Sequence, residues 1–274
     1  MRRGVVGMSR LQGKIAIVTG GARGVGAADV KRLCEDGAAV AIADVLEEEG
    51  AALEKALCEA GHDARFFRHD VTEEVSWKNL VTAVEDWKGH ITTLVNNAGV
   101  VNRSGITGTS LEAWNRVMGI NLTGAFLGMK HVCPSIRDAG GGAVVNMASV
   151  AAHVGHNDPA YSASKAGILG LTRSAAGEYI DWNIRVNAIC PAVIVTDLNR
   201  GGAHLEPWRR ATPQGRFGEA EEPAALISFL VSDDARFITG EDIAIDGGFL
   251  AVGAARRISI ESGIDLTAPE AGQE

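Results

Sequence analysis

The chain has 274 residues, of which 46% are hydrophobic and 22% charged, and its formal net charge is −8. This composition is typical of a globular protein and not of a disordered one, and the acidic charge argues against nucleic acid as a partner. No apolar run reaches the roughly 18 residues of a membrane-spanning helix, so we expect no membrane partner and a cytoplasmic location.

Apolar segments of strand length alternate with segments of helix length along most of the chain. Glycines 37 and 61 end the first two predicted helices, and Thr72 is placed to cap the third. Thr109 and Glu112 have the spacing of a capping box for the fourth, which runs with a break to about residue 138. The predicted strands are 14–19, 38–44, 64–70, 92–97, 143–149, 184–189 and 242–246, and the other predicted helices are 24–37, 46–60, 159–179 and 221–232.

The predicted strands are apolar along nearly their whole length, which is typical of strands that helices cover on both faces. The repeated alternation of strand and helix predicts an α/β fold, a single domain with a doubly wound parallel sheet of about seven strands. We expect this domain at 11–250, followed by a C-terminal tail at 251–274 that is disordered or packs on a neighbouring subunit. The long connection at 197–220 is interpreted as a lid over a site.

A glycine-rich segment, TGGARGVG at 19–26, lies between the first strand and the first helix. Glycines at 20, 24 and 26 allow a sharp turn and a close approach of the backbone to a pyrophosphate. The N-terminus of the following helix adds free N–H groups and the positive end of its dipole. This position predicts a dinucleotide-binding loop, even though the spacing differs from G-x-G-x-x-G.

The end of the second strand bears on the choice between NAD and NADP. Asp44 closes that strand, where a carboxylate accepts hydrogen bonds from the ribose hydroxyls and repels a 2′-phosphate. Arg23, inside the glycine loop, argues the other way, but Val45 and Leu46 add no second cation. We weigh Asp44 more heavily and expect NAD as cofactor.

Two further strand ends carry candidate cofactor contacts, because the carboxyl ends of parallel strands face the ligand crevice. Asp70 and Val71 follow the third strand, and Asn97, Ala98 and Gly99 follow the fourth. A carboxylate at 70 is placed to reach the adenine amino group, and the small residues leave room for the ribose.

Tyr161 and Lys165 lie four residues apart on a predicted helix and therefore share one face. A nearby ammonium favours the phenolate, so we expect Lys165 to lower the pKa of Tyr161 and make it an acid/base. Ser149 ends the fifth strand and is placed to hydrogen-bond a reacting oxygen. Asn121, in the middle of the preceding helix, indicates a local kink or a functional role.

Taken in order, these motifs resemble the short-chain dehydrogenase/reductase family over about residues 11–250. The matching stretches are TGGARGVG, Asp44, Asp70-Val71, NNAG at 96–99, Asn121, Ser149, YSASK at 161–165 and DGG at 246–248. The resemblance implies a Rossmann-type fold, a homotetramer or dimer, and a catalytic tetrad of Asn121, Ser149, Tyr161 and Lys165. The implied cofactor-binding residues are Gly20, Arg23, Gly24, Val25, Gly26, Asp44, Val45, Asp70, Val71, Asn97, Ala98, Gly99, Tyr161, Lys165, Pro191, Ile194 and Thr196.

Two departures from the family pattern concern the pocket. Pro191 is followed by Ala192 where the family usually has glycine, which puts a methyl group close to the expected nicotinamide. The interval from Ser149 to Tyr161 is one residue shorter than the family pattern, so we expect a substrate pocket of unusual shape. His153 and His156 lie in that interval at HxxH spacing, but further ligands are missing and we expect no metal.

The sequence therefore predicts an NAD-dependent oxidoreductase that interconverts a secondary alcohol, cyclic or otherwise apolar, and its ketone. One alternative is a 3-oxoacyl thioester reductase that uses NADPH, which Asp44 and the acidic charge disfavour. A second alternative is a non-catalytic regulator that senses dinucleotides, which the complete tetrad disfavours. The expected partners are a small-molecule alcohol or ketone and further copies of the chain.

Overall fold

A computed structural model of the protein describes residues 9–196, 201–202 and 205–263. The first half of the fold consists of β1 (Ile15–Thr19), α1 (Gly24–Glu35), β2 (Ala39–Asp44), α2 (Glu47–Glu59), β3 (Ala64–Arg68), α3 (Glu74–Lys88), β4 (Thr93–Asn96) and α4 (Leu111–Met118). A turn of π-helix, Gly119–Thr123, joins α4 to α5 (Gly124–Asp138). The second half consists of β5 (Gly142–Met147), α6 (Pro159–Glu178), β6 (Ile184–Pro191), β7 (Ile194–Val195), α7 (Leu205–Ala211), β8 (Gly218–Glu219), α8 (Glu221–Val231), β9 (Asp242–Ile245) and α9 (Phe249–Glu261).

Seven strands form one parallel sheet in the order β3-β2-β1-β4-β5-β6-β9. The strand order reverses between β1 and β4, and a ligand crevice opens at such a switch point beyond the carboxyl ends of the strands. The predicted seven-stranded, doubly wound sheet is confirmed. A separate pair of two-residue strands, β7 and β8, was not predicted.

Helices cover both faces of the sheet, which explains why the strands are apolar on both sides. The first core layer lies under α1 and α8 and includes Val18, Val30, Leu33, Ile227 and Leu230. The second layer lies under α3, α5 and α6 and includes Trp77, Leu94, Met129, Val132 and Val186. Each such side chain contributes about 1.5–3 kcal/mol when it leaves water, and together they hold the strand ends in place.

The predicted cap of the third helix is wrong. The amide and the hydroxyl of Thr72 both donate to Oδ1 of Asp70, at 2.9 and 2.7 Å. Helix α3 therefore begins later, at Glu74, and no side chain caps it within the described residues. The local turn at Asp70 forms instead of the cap, because the aspartate carboxylate accepts both hydrogen bonds that Thr72 can donate.

The predicted capping box of the fourth helix is also wrong, by one residue. Ser110 is the N-cap of α4, and its hydroxyl accepts the amide of Ala113 at 3.1 Å. The hydroxyl of Thr109 instead donates to the carbonyl of Gly105 at 2.8 Å. The break predicted before residue 138 is present as the π-helical turn.

The C-terminal part of the chain is more regular than predicted. Residues 251–261 of the predicted tail belong to α9, and Trp208 of α7 packs on Phe249 with ring centroids 5.0 Å apart. Residues 264–274 of the tail, and 197–200 and 203–204 of the predicted lid, lie outside the described residues. The domain limits of 11–250 stay a prediction. None of the helices in the described ranges is long and apolar enough to cross a membrane.

Candidate active site

A cleft of about 960 Å³ lies at the carboxyl ends of β1, β2, β3 and β4, where the strand order reverses. The predicted cofactor-binding residues come together there, with two exceptions. Those that line the cleft are Gly20, Arg23, Gly24, Val25, Gly26, Asp44, Val45, Asp70, Val71, Asn97, Ala98, Gly99, Tyr161, Ile194 and Thr196. Lys165 is buried at 3% exposure, and Pro191 is buried at the end of β6.

The glycine loop at the floor of the cleft has no room for a side chain at position 26. A Cβ atom on Gly26 would lie 2.1 Å from the carbonyl oxygen of Gly20, and Gly20 itself has a φ of 62°. The side-chain amide of Asn97 donates to the carbonyls of Thr19 and Gly20, at 3.0 and 3.1 Å. In the described chain no side chain caps α1, whose first N–H groups therefore remain available to an anion.

Asp44 lies beside this loop and is 8% exposed. Its Oδ2 accepts the amide of Ala22 at 3.0 Å, and its Oδ1 accepts the amide of Leu46 at 3.1 Å. Each carboxylate oxygen has further lone pairs, so these contacts orient the group without exhausting its capacity to accept. Arg23 lines the same cleft, so the two residues with opposing implications for NADP both face it.

Tyr161 stands in the first turn of α6 and lines the cleft. Burial raises the pKa of its phenol above the ordinary value, and a hydrogen bond from the Ser149 hydroxyl offsets part of that increase. The pKa of Tyr161 is therefore raised, whereas we expected Lys165 to lower it. The structure has brought tyrosine and serine together as predicted, but burial has the larger electrostatic effect.

Lys165 lies one turn further along α6, with its Nζ 5.7 Å from the centroid of the Tyr161 ring. Its Nζ donates to the carbonyl of Met147 at 2.6 Å. Burial lowers the pKa of this ammonium to about 8, since the low dielectric disfavours the charged form. The Met147 carbonyl, at the end of β5, was not foreseen because a backbone acceptor leaves no trace in a sequence motif.

Asn121 sits in the π-helical turn and is 2% exposed. Its Oδ1 accepts the amide of Val100 at 2.8 Å, and its Nδ2 donates to the Val100 carbonyl and to the Ser164 hydroxyl, both at 3.0 Å. A Cβ on Gly99 would lie 3.4 Å from Lys165 Nζ and 3.5 Å from Asn121 Oδ1. The absence of a side chain at 99 thus leaves space between the lysine and the asparagine.

Asp158, which sequence reasoning missed, joins two walls of the cleft. This carboxylate is fully buried and accepts the amides of Asn102, Arg103 and Tyr161, at 2.5, 3.0 and 3.0 Å. Burial raises the pKa of its carboxyl, but the three backbone donors outweigh that effect and hold the pKa below the usual value. The Asp158-Pro159 pair has the form of a helix N-cap followed by proline, which is the signal that could have identified it.

Arg103, also missed, lines the cleft in a left-handed conformation with a φ of 61°. That conformation costs a residue with a Cβ roughly 1–2 kcal/mol, and Asp158 holds it through the Arg103 amide. The same carboxyl group also accepts the amide of Tyr161, so it bridges the backbones of Arg103 and Tyr161. No described residue accepts a hydrogen bond from the Arg103 guanidinium.

The two histidines of the HxxH spacing point to different partners. His156 accepts the amide of Asp158 at 3.2 Å, and its ring lies 5.5 Å from the Tyr161 ring. His153 contacts Cys190, with Nε2 3.5 Å from Sγ. The four cysteines of the chain are free.

Comparison with known proteins shows the family to which this arrangement belongs. A family model described as enoyl-(acyl carrier protein) reductase matches residues 20–250. The chain is 38% identical over 244 residues to the 2,5-dichloro-2,5-cyclohexadiene-1,4-diol dehydrogenase LinX of Sphingobium indicum, a match that covers 88% of this chain and 98% of that protein. It is 42% identical over 246 residues to the trans-4-hydroxycyclohexanecarboxylate dehydrogenase of Sinomonas cyclohexanicum, covering 87% and 93%.

A third relative is named for its cofactor. The NADP-dependent (R)-specific alcohol dehydrogenase of Lentilactobacillus kefiri is 35% identical over 252 residues, covering 88% of this chain and 98% of that protein. Among solved structures, gox2181 superposes with a TM-score of 0.85 at 34% identity, covering 89% of this chain and 98% of that one.

Proposed function

The chain belongs to the short-chain dehydrogenase/reductase family, whose members use nicotinamide dinucleotides, and we propose that it is an NAD-dependent dehydrogenase of a cyclic secondary alcohol. The observation that carries the proposal is a group of three residues at the cleft wall. Tyr161 is hydrogen-bonded to Ser149, and Lys165 lies one turn after Tyr161 on the same helix. A glycine loop and a free helix N-terminus share that cleft.

In the proposed reaction Tyr161 takes the hydroxyl proton of the alcohol while the adjacent carbon gives up a hydride. The bound nicotinamide supplies the hydride acceptor. Ser149 donates a hydrogen bond to the reacting oxygen and stabilises the charge that develops there. Burial lowers the pKa of Lys165 to about 8, and the protonated, positively charged form of Lys165 favours the phenolate of Tyr161. In the reverse direction Tyr161 returns the proton to the ketone oxygen.

Asp44 supports NAD as the cofactor. Its carboxylate is held against the glycine loop by the Ala22 amide, in the position from which the ribose hydroxyls of NAD are bound in this fold. A 2′-phosphate would meet this negative charge at short range. The NADP-dependent relative shows that family membership alone does not decide the cofactor.

The relatives support a ring alcohol as substrate, since two of them are named for six-membered ring alcohols. Arg103 adds a preference for a substrate that also carries a carboxylate. Its guanidinium lacks a described partner, lines the cleft, and is anchored through Asp158 to the helix that carries Tyr161. A carboxylate gains most from a guanidinium that has no competing acceptor.

The NADPH-dependent 3-oxoacyl thioester reductase remains the second candidate, because the matching family model is described as an acyl carrier protein reductase. The acidic charge of the chain and Asp44 count against it.

The test is a steady-state assay with NAD and NADP, on cyclohexanol, on 4-hydroxycyclohexanecarboxylate, and on a 3-oxoacyl thioester in the reducing direction. We expect oxidation of the ring alcohols with NAD, and a loss of about 10²- to 10⁴-fold in kcat in Tyr161→Phe. Arg103→Gln should raise KM about tenfold for the carboxylate substrate, which corresponds to about 1.4 kcal/mol, and leave cyclohexanol unchanged. Full activity of Tyr161→Phe, or preferred reduction of the thioester with NADPH, would overturn the proposal.

A further inference from the structure

Three side chains that are far apart in sequence meet behind the catalytic serine. Cys190 lies near the end of β6, Asp242 begins the neighbouring strand β9, and His153 follows the short turn after Ser149. Nε2 of His153 lies 3.5 Å from Cys190 Sγ and 3.1 Å from Asp242 Oδ2. The three donor atoms all lie within 4.8 Å of one another.

These separations resemble the edges of a tetrahedral zinc site. Typical bond lengths from zinc to sulfur, nitrogen and oxygen place sulfur and nitrogen about 3.6 Å apart, and nitrogen and oxygen about 3.3 Å apart. The two edges that meet at His153 are within a few tenths of an ångström of those values. The remaining edge, from sulfur to carboxylate, is at most 4.8 Å and would contract by at most about 1.2 Å to match such a site.

The chemistry of the three groups also leaves room for a cation. One imidazole nitrogen faces a sulfur atom and a carboxylate oxygen at once, and a single N–H bond cannot point directly at both. A cation between them would satisfy all three groups. Cys190 is fully buried, whereas 32% of the His153 side chain is exposed, so an ion and a water ligand have access from the histidine side.

The surroundings hold the carboxylate in position. Arg173 donates to Oδ1 of Asp242, which leaves Oδ2 directed at His153. Such an outer partner orients a ligating carboxylate and is part of many metal sites. On the other side, Cys190 Sγ accepts the backbone amide of Ser149. The cluster is therefore connected through one hydrogen bond to a residue of the candidate active site.

We propose that His153, Cys190 and Asp242 bind a divalent transition-metal ion of the zinc type, with water as the fourth ligand. As the metal–sulfur bond forms, the thiol proton passes to solvent. Sulfur, imidazole and carboxylate together suit zinc or cobalt better than magnesium or calcium, which prefer oxygen ligands only. The bound ion would fix the turn between Ser149 and His153 and act as a structural site, separate from hydride transfer.

The test is titration of the purified full-length protein with Co²⁺, after removal of metals by a chelator, followed by visible and near-ultraviolet absorption. We expect one equivalent to bind with the d–d bands of a tetrahedral site and a thiolate-to-cobalt charge-transfer band. Zn²⁺ should displace the cobalt and abolish both signals. Arg173→Gln should weaken binding roughly 10-fold, as loss of an outer partner does in other sites.

Variants distinguish this site from the other cysteines. Cys190→Ser should remove the charge-transfer band, and Cys58→Ser, at an exposed thiol, should retain it. His153→Ala changes an exposed position and so keeps the test valid if Cys190→Ser does not fold; it should abolish stoichiometric binding. Absence of the charge-transfer band in the wild-type protein, or its persistence in Cys190→Ser, would refute the site. The readout does not depend on enzymatic activity, so it stands or fails separately from the proposed reaction.

Discussion

Replacing Asp158 with asparagine should destabilise the protein, because the carboxylate serves three backbone donors from two segments. The asparagine oxygen can accept on one side only, and its NH₂ group would face an amide on the other. A buried donor that loses its acceptor costs about 1–3 kcal/mol. For a chain of this size that corresponds to a fall in Tm of about 2–12 °C.

The loss of stability should depend on pH with a defined sign. The pKa of Asp158 lies below its usual value in the folded protein, because the backbone donors outweigh the effect of burial. Its contribution to folding is therefore fully present above the unfolded pKa of about 3.9 and disappears as pH falls through the lower folded value. The difference in Tm between wild type and Asp158→Asn should be full at pH 6–8 and shrink below pH 4.

The same substitution should shift the activity profile in the acid direction. Burial is the largest cause of the raised pKa of Tyr161, and the negative charge of Asp158 adds to it. Removing that charge should lower the pKa of Tyr161, so alcohol oxidation should begin to rise at a lower pH. KM should rise as well, because the segment that carries Arg103 loses its anchor.

The assay is differential scanning calorimetry combined with pH profiles of kcat/KM. Asp181→Asn, at an exposed aspartate, is the control that matches the charge change. If Asp158→Asn matched this control in both Tm and pH profile, the carboxylate would not be joining the two walls of the cleft.

Three other substitutions probe particular contacts. Gly26→Ala should abolish cofactor binding, because its methyl would lie 2.1 Å from the Gly20 carbonyl oxygen; calorimetric titration with NAD checks this, and ordinary affinity would contradict it. Burial raises the pKa of the Asp29 carboxyl, so Asp29→Asn should stabilise the fold increasingly as pH rises above about 4, by at most about 1.4 kcal/mol per pH unit. Urea unfolding at several pH values tests this, and a gain in stability independent of pH would oppose it. Gly99→Ala should leave Tm within about 1 °C but lower kcat, since its methyl would fill the space 3.4 Å from Lys165 Nζ; an unchanged kcat would show that this space is not used.

Much of the fold was predictable because the sheet is parallel and covered on both faces. The strands are then apolar runs, and glycines end the helices between them, so each element has a local signal. The starts of α3 and α4 were not predicted correctly. Thr72 binds the Asp70 carboxylate instead of capping α3, and Ser110 takes the N-cap position of α4 in place of Thr109. Strands β7 and β8 are two residues each and carry no periodicity that could reveal them.

The site divides in a similar way. Gly20, Asp44 and Tyr161 were identifiable because their position relative to strands and helices defines what they can contact. Asp158 and Arg103 were not, since their importance arises from a contact across 55 residues. The net direction of the Tyr161 pKa could not be predicted, because a sequence shows the nearby lysine but does not show the burial that raises this pKa.

The π-helical turn at Gly119–Thr123 rotates the side-chain directions of α5 relative to those of α4. Each residue of an α-helix advances the side-chain direction by about 100°, so one extra residue in a turn rotates everything after it by that angle. Asn115 and Arg116 of α4 can therefore face the cleft while the buried side of α5 faces the sheet. If one residue of this turn were deleted, α4 and α5 could not both keep their present orientations, so either the cleft or the core would lose its contacts. Insertions and deletions here should therefore be far less tolerated than substitutions.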